Sequence, residues 1–167
     1  MLIEFSHLDS PVGGVLVAAS AEGLCALDFT DLEVEARKRL GRAHPDAMFG
    51  TGPRANKAAK CVKAYFDGDL NALEDLEVAA CGTPFQKKVW AALREIPLGT
   101  TSSYSKIAAS IGNPSAVRAV GASNGRNPIA LVVPCHRVIA ADGTLCGYAG
   151  GLWRKQWLLK HEHALLV

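Results

Sequence analysis

A cysteine followed directly by a histidine, Cys135 and His136, is the pair of side chains in this sequence best suited to chemistry. A free cysteine thiol has a pKa of about 8.5, so a working nucleophile needs a base or a positive charge beside it. His136 and Arg137 are candidates for these roles. Because neighbouring residues point in different directions, we expect a bridging water rather than a direct contact between Cys135 and His136.

A carboxylate near the end of the chain is the natural third member of this group. Glu162 could hold the imidazole of His136 in one tautomer and stabilise its cationic form. The elements that must position the three side chains are a short buried strand at 129–133, bounded by prolines, and a closing helix over 152–162. The sequence therefore predicts a Cys–His–Glu group carried by a strand and a helix.

Three helices are predicted ahead of that strand. The run Thr83–Gln86 forms a capping box with proline at the first helical position, so a helix begins there. Ser103 is predicted to cap a second helix through residue 110, and Ser115 a third through about residue 125. Short helices joined by a glycine-containing turn indicate a helix-turn-helix. The third helix is rich in small side chains, so its backbone can approach a ligand closely.

The first half of the chain predicts a small α+β unit. Apolar segments at 2–8, 15–19 and 24–29 are separated by turn residues and indicate an antiparallel meander. Helical spacing follows at 33–40 and 54–66, with one short strand near 76–79. We place the boundary near residue 80, which gives a structural domain over 1–80 and a second domain over 81–167 that carries the Cys–His–Glu group.

Charge is distributed unevenly between these halves. Residues 1–81 carry 8 Lys and Arg against 13 Asp and Glu, whereas residues 82–167 carry 10 against 3. The second half, with a net charge of +7, is therefore the candidate for binding a polyanion such as DNA.

Several protein classes are disfavoured by composition. The chain has 167 residues, 49% of them hydrophobic, but no apolar run long enough to span a bilayer and no signal peptide pattern, so we expect a cytoplasmic protein. Its five cysteines form no C-x-x-C pair, and its histidines show no metal-ligand spacing. We expect neither disulfides nor a metal.

The motif Pro134-Cys135-His136-Arg137-Val138, preceded by Asn127-Pro128, resembles the active-site signature of the O6-alkylguanine-DNA alkyltransferases. The resemblance covers about half the chain closely. It includes the motifs at 83–86, 99–104, 112–114, 118–121, 148–151 and 158–162. Residues 1–80 resemble the family's variable N-terminal domain only in the opening at 9–13 and in overall pattern.

This resemblance implies an α/β (α+β) fold, with a small antiparallel sheet and helices in the N-terminal domain. The C-terminal domain is then mainly helical, winged helix-turn-helix-like, and carries the active site. The implied activity is DNA repair by direct, stoichiometric and irreversible transfer of an alkyl group from O6 of guanine to Cys135. Transfer from O4 of thymine is implied to be less efficient, and no cofactor is needed.

The resemblance also implies roles for individual residues. His136 takes the thiol proton through water, Glu162 orients His136, Tyr104 donates a hydrogen bond to the departing base, and Asn127 ties the active-site turn in place. The pocket that reads the base is implied to consist of Val138, Tyr148, Ala149 and Gly150.

Double-stranded DNA is the implied partner, bound through its minor groove by a monomer that flips the damaged nucleotide out of the helix. Arg118 resembles the residue that fills the gap left behind. Ala119, Ala122 and Ser123 are the small residues that allow a close fit. Two positions depart from the family pattern, since Ala130 is proline in some relatives and Cys146 stands where a small or hydroxylic residue is expected.

Three other functions remain possible at this point. The protein could bind damaged DNA without transfer, although the presence of Cys135 argues against a pure lesion sensor. Cys135, His136 and Glu162 could form the triad of a hydrolase acting on acyl substrates, but the helix-turn-helix then has no explanation. A transcription regulator reading the major groove would be expected to carry several polar base-reading side chains, in which residues 116–124 are poor.

Overall fold

The chain forms two compact units in a computed structural model that describes residues 1–164. The first unit contains Met1–Cys81 and the later segment Pro128–Val132, and the second contains Gly82–Asn127 and the described residues from Val133 onward. The last three residues of the predicted 81–167 domain lie outside the described residues. None of the helices in the described chain is long and apolar enough to cross a membrane.

A four-stranded sheet with two helices makes up most of the first unit. Its strands are β1 (Leu2–Leu8), β2 (Val15–Ser20), β3 (Gly23–Phe29) and β4 (Met48–Gly50), and its helices are α1 (Glu33–Ala43) and α2 (Pro53–Phe66). The sheet order is β3-β2-β1-β4. The predicted antiparallel meander of β1, β2 and β3 is confirmed. The short strand β4 was not predicted, and it pairs parallel to β1.

The core of the first unit follows from these strand patterns. Buried side chains of β1, β2 and β3 pack against the buried face of α1, with Ile3, Leu16 and Leu40 among them. The predicted strand at 76–79 is reduced to a single bridge between Leu24 and Val78.

Four α-helices and two short strands lie in the second unit among the described residues. They are α3 (Pro84–Arg94), β5 (Ser102–Ser103), α4 (Tyr104–Ser110), α5 (Val117–Gly125), β6 (Val138–Ile139) and α6 (Leu152–His161). Helix α5 packs against both α3 and α4. Strands β5 and β6 pair in parallel over two residues. A unit with a sheet and a mainly helical unit agree with the predicted α/β (α+β) fold class.

Two of the three predicted helix caps are present. Thr83 and Gln86 form the full capping box of α3, with hydrogen bonds of 2.9 and 3.1 Å between side chains and backbone N–H groups. Ser103 caps α4 by accepting from the backbone N–H of Lys106. The predicted cap at Ser115 is wrong, because its hydroxyl donates to the amide oxygen of Asn113 and α5 begins only at Val117.

The predicted strand at 129–133 does not form. Leu27 of β3 accepts from Ala130 and donates to the carbonyl of Pro128, which gives one bridge and places this segment in the first unit. The chain then turns sharply at Leu131, whose φ is 69° and whose flanking residues are joined by a hydrogen bond from Val132 N–H to the Ala130 carbonyl. This γ-turn ends the pairing after a single bridge.

Candidate active site

Cys135 begins a short 3₁₀ turn, Cys135–Arg137, which leads directly into β6. Pro134 stands before it with φ −82° and ψ 64°, and the Cys135 N–H donates to the Val133 carbonyl at 2.8 Å. These values describe an inverse γ-turn, a conformation for which the fixed φ of proline is suited. The thiol therefore stands on a rigid local frame, and 7% of the Cys135 surface is exposed.

Two asparagines donate hydrogen bonds to the carbonyl groups of this turn. Asn127, just after α5, donates from Nδ2 to the Val133 carbonyl at 2.7 Å. Asn124, within α5, donates to the Cys135 carbonyl at 3.5 Å. The resemblance implied such a contact for Asn127 but not for Asn124, whose only sequence signal is its place on the buried side of α5.

His136, Arg137 and Glu162 form a buried polar network. His136 is fully buried, and its Nε2 lies 2.9 Å from Oε2 of Glu162, which is 2% exposed. Arg137 donates from Nε to Oε1 of Glu162 at 2.8 Å and from Nη2 to Oε2 at 3.2 Å. Its Nη1 donates to the carbonyl of Ile96 at 2.9 Å. The structure thus brings Glu162 and His136 together and adds Arg137 as a second partner of the carboxylate.

The electrostatics of this network keep the carboxylate ionised. Burial alone would raise the pKa of Glu162, but the charges and hydrogen bonds of His136 and Arg137 hold this pKa well below its usual value. An ionised carboxylate only accepts hydrogen bonds, so the Nε2 of His136 must carry a hydrogen. In the neutral imidazole the remaining nitrogen, Nδ1, is then the basic atom.

The surroundings of Nδ1 of His136 leave it available to act as a base. Nδ1 is buried and has no hydrogen-bond partner among the described residues. A buried polar atom normally has a partner, either from the protein or from an ordered water. A water at Nδ1 is therefore the simplest group that could carry a proton from the adjacent thiol.

Tyr104, Cys146 and Lys155 form a second polar group in the same unit. Tyr104 is the first residue of α4, and its Oη lies 3.7 Å from the Sγ of Cys146. Burial is the first of the causes that raise the pKa of Tyr104. The phenol therefore keeps its proton at neutral pH and can act as a hydrogen-bond donor.

Lys155 is fully buried and holds three carbonyl groups. Its Nζ donates to the carbonyls of Val138 at 2.6 Å, Cys146 at 2.8 Å and Gly147 at 3.4 Å. Burial lowers the pKa of Lys155, and the negative charge of Cys146 and Cys135 in their thiolate forms opposes that shift. Lys155 was not predicted as a site residue from the sequence.

A usable signal for Lys155 was present in the sequence. Along α6 and just beyond it, Lys155 shares one helical face with residues 158, 159 and 162, which are all buried. A lysine on a buried helical face needs partners for its charge.

The residues predicted to read the base lie around the same loop. The carbonyl of Val138 already accepts from Lys155, although a carbonyl oxygen has a second lone pair. Tyr148 is half-buried, Ala149 is exposed and Gly150 is buried, with its carbonyl accepting from Arg154 at 3.1 Å.

The predicted DNA-binding residues of α5 divide into two groups. Arg118, Ala119 and Ala122 are exposed. Ser123 is not on this face, and its prediction as a DNA contact needs correction. It is 4% exposed, shares the buried side of α5 with Val120, and its carbonyl accepts from Nε1 of Trp90 at 2.9 Å.

No group of three or more His, Cys, Asp or Glu side chains that could hold a metal ion occurs within residues 1–164.

Two family models match adjoining parts of the chain. Residues 3–80 match the ribonuclease-like domain of 6-O-methylguanine DNA methyltransferase, and residues 84–164 match its DNA-binding domain. The methylated-DNA–protein-cysteine methyltransferase of Methanosarcina acetivorans is 46% identical over 158 residues, which cover 95% of this chain and 97% of that protein.

Solved structures give the same result. The chain superposes on the O6-methylguanine methyltransferase of Mycobacterium tuberculosis with a TM-score of 0.79 and 40% identity, covering 97% of this chain and 93% of that one. Mycobacterium tuberculosis OGT in complex with DNA matches with a TM-score of 0.79 and 39% identity, covering 98% and 94%. The resemblance predicted from the motifs is confirmed, and the chain belongs to the 6-O-methylguanine DNA methyltransferase family.

Proposed function

We propose that this protein repairs DNA by direct reversal, taking the alkyl group of an O6-alkylguanine onto the sulfur of its own Cys135. The observation that carries this proposal is the arrangement beside the thiol. His136 is fixed by Glu162 through Nε2 and keeps a buried Nδ1 available as a base. A base oriented by a carboxylate is the usual means of activating a cysteine or serine nucleophile.

The reaction follows from these groups. The thiol proton of Cys135 passes through a water to Nδ1 of His136, and Glu162 stabilises the imidazolium that forms. The thiolate attacks the alkyl carbon, so an S–C bond forms as the C–O6 bond breaks. The electron pair of that bond stays on the guanine, whose ring accepts a hydrogen bond from Tyr104. The product is a thioether, and its stability makes the transfer irreversible and stoichiometric.

Access to the lesion requires the base to leave the DNA stack. We propose that α5 enters the minor groove with its exposed small residues Ala119 and Ala122, and that Arg118 fills the gap behind the flipped nucleotide. The loop at 146–150 and the Val138 carbonyl then receive the base. The same pocket would take O4-alkylthymine less efficiently, and a monomer is sufficient for every step.

The test is to follow the alkyl group. Duplex DNA carrying one O6-methylguanine with a labelled methyl group is incubated in excess over the protein, and the label is located by peptide mass analysis. We expect one label per protein molecule, on Cys135, and none with Cys135→Ala. Cys81→Ala, which removes an exposed cysteine of the first unit, is the matched control and should transfer normally.

Each alternative has its own outcome in this experiment. Repeated turnover would indicate a hydrolase, and binding without transfer would indicate a lesion sensor. Transfer that survives Cys135→Ala would show that another residue is the acceptor.

A further inference from the structure

Cys146 has a place beside the proposed site that the reaction leaves unexplained. We propose that Cys146 is a positioning residue, whose thiol donates to the phenolic oxygen of Tyr104 so that the phenolic hydrogen is directed at the departing base. The proposal rests on the proposed function, because it assigns Cys146 a task only if Tyr104 donates to the substrate.

The contact between the two side chains has the length of a sulfur hydrogen bond. Sγ of Cys146 lies 3.7 Å from Oη of Tyr104, and both residues are half-buried. A phenol has one hydrogen to donate and an oxygen that can accept. If the thiol donates to that oxygen, the phenolic hydrogen remains available for a third group.

The backbone at Cys146 is held independently of this contact. Lys155 donates to the Cys146 carbonyl at 2.8 Å and to the Val138 carbonyl at 2.6 Å. Its third contact, with the Gly147 carbonyl, gives each of the three ammonium hydrogens an acceptor. The loop around Cys146 contains two glycines with positive φ, Gly143 and Gly147. Cys146 itself is nevertheless held, because its carbonyl accepts a hydrogen bond from the buried ammonium of Lys155. The backbone that carries the thiol is therefore held in place.

The ring of Tyr104 lies beside Gly121 of α5. A methyl group placed on Gly121 would lie 3.9 Å from Cδ1 of the Tyr104 ring, which is an ordinary van der Waals contact. A thiol that donates to the phenolic oxygen leaves the phenolic hydrogen directed away from Cys146. Hydrogen bonds in such a chain strengthen one another, so a donor behind the phenol also makes it a better donor.

A double-mutant cycle tests the proposal. The measured quantities are the single-turnover rate constant for transfer from an O6-methylguanine duplex and the affinity for the same DNA. The variants are Cys146→Ala, Cys146→Ser, Tyr104→Phe and the double variant Tyr104→Phe/Cys146→Ala. Cys61→Ala, a half-buried cysteine of α2, is the control.

We expect Cys146→Ala to slow transfer about threefold to tenfold while DNA affinity stays the same, as is typical for loss of one hydrogen bond. Cys146→Ser keeps a donor and should retain most of the rate. In the Tyr104→Phe background the phenolic oxygen is absent, so Cys146→Ala should cause no further loss. Cys61→Ala should behave as the unmodified protein.

Three results would overturn the proposal. One is an unchanged rate with Cys146→Ala, another is an equal loss with Cys146→Ser, and the third is the same loss in the Tyr104→Phe background. Should Cys146→Ala fold poorly, Cys146→Val removes the donor while filling the space. Absence of any transfer to Cys135 in the unmodified protein would instead overturn the proposed function, and this proposal with it.

Discussion

Glu162 connects groups that lie far apart in the sequence. Its two carboxylate oxygens accept from His136 and Arg137, and Arg137 in turn reaches the carbonyl of Ile96. A buried carboxylate is costly unless it is paired and hydrogen-bonded, and here it is both. One residue therefore stabilises the fold of the second unit and orients the base beside Cys135.

Glu162→Gln should separate these two roles. The substitution keeps the shape of the side chain but places an amide NH₂ where two donors need acceptors. We expect the transfer rate to fall about a hundredfold, because His136 loses both its fixed tautomer and the stabilisation of its cation. Rapid-quench measurement of labelled transfer checks this. The matched control is Glu95→Gln, an exposed glutamate of the same unit, and an equal loss in both variants would contradict the assignment.

Glu162→Gln should also change how the stability of the protein depends on pH in the acidic range. The folded-state pKa of Glu162 lies below the value of about 4.3 for an unfolded glutamate. The unfolded chain therefore binds this proton more readily, so the stabilisation from Glu162 is complete above that pH. It is lost as the pH falls towards the lower folded-state pKa. In urea unfolding across this range, stability should fall less steeply for Glu162→Gln than for the unmodified protein.

At the scale of elements, the sequence predicts most where the signal is local. Thr83 and Ser115 both look like caps, but only Thr83 has proline at the next position and glutamine at the third. Those neighbours belong to the same helical turn, so the capping box forms. Ser115 lacks such support, and the amide oxygen of Asn113 takes its hydroxyl hydrogen instead.

This contrast predicts different stability effects for two similar truncations. Thr83→Ala removes an acceptor for the first turn of α3 and should lower the free energy of unfolding by about 1 kcal/mol. Ser115→Ala removes a hydroxyl that caps no helix, and its effect should stay within about 0.5 kcal/mol. Urea unfolding of both variants provides the measurement. Equal destabilisation would show that Ser115 supports α5 in solution after all.

The site shows the same division between local and non-local information. The positions of Cys135 and His136 follow from one short motif, and a carboxylate partner was expected from the end of the chain. The tie from Asn124, the second partner of Glu162 and the buried ammonium of Lys155 depend on contacts between distant segments. No local pattern specifies which carbonyl groups meet Lys155, so those contacts could not be derived.

At the scale of the whole molecule, the path of the chain differs from the one predicted. The predicted boundary near residue 80 did not anticipate that residues 128–132 return to the first unit. That return depends on one bridge between Leu27 and Ile129, which are more than a hundred residues apart. Pairing over such a separation leaves no periodic signal in a five-residue segment.

The charge asymmetry of the whole molecule gives the last prediction. Residues 82–167 carry a net charge of +7 and residues 1–81 a net charge of −5, so DNA affinity should fall as salt rises. If the exposed face of α5 makes the contact, replacing Arg118 and Arg126 by glutamine should reduce the slope of log affinity against log salt by up to about two.

Charge removed elsewhere provides the comparison. Replacing the exposed Lys57 and Lys60 of α2 by glutamine removes the same two charges from the first unit. If contact at α5 governs binding, this second variant should keep the unmodified slope in a fluorescence anisotropy titration. If net charge alone governs binding, both variants should weaken it equally. Equal slopes would therefore exclude α5 as the DNA-contacting helix, because phosphate contacts and not total charge set the number of ions released.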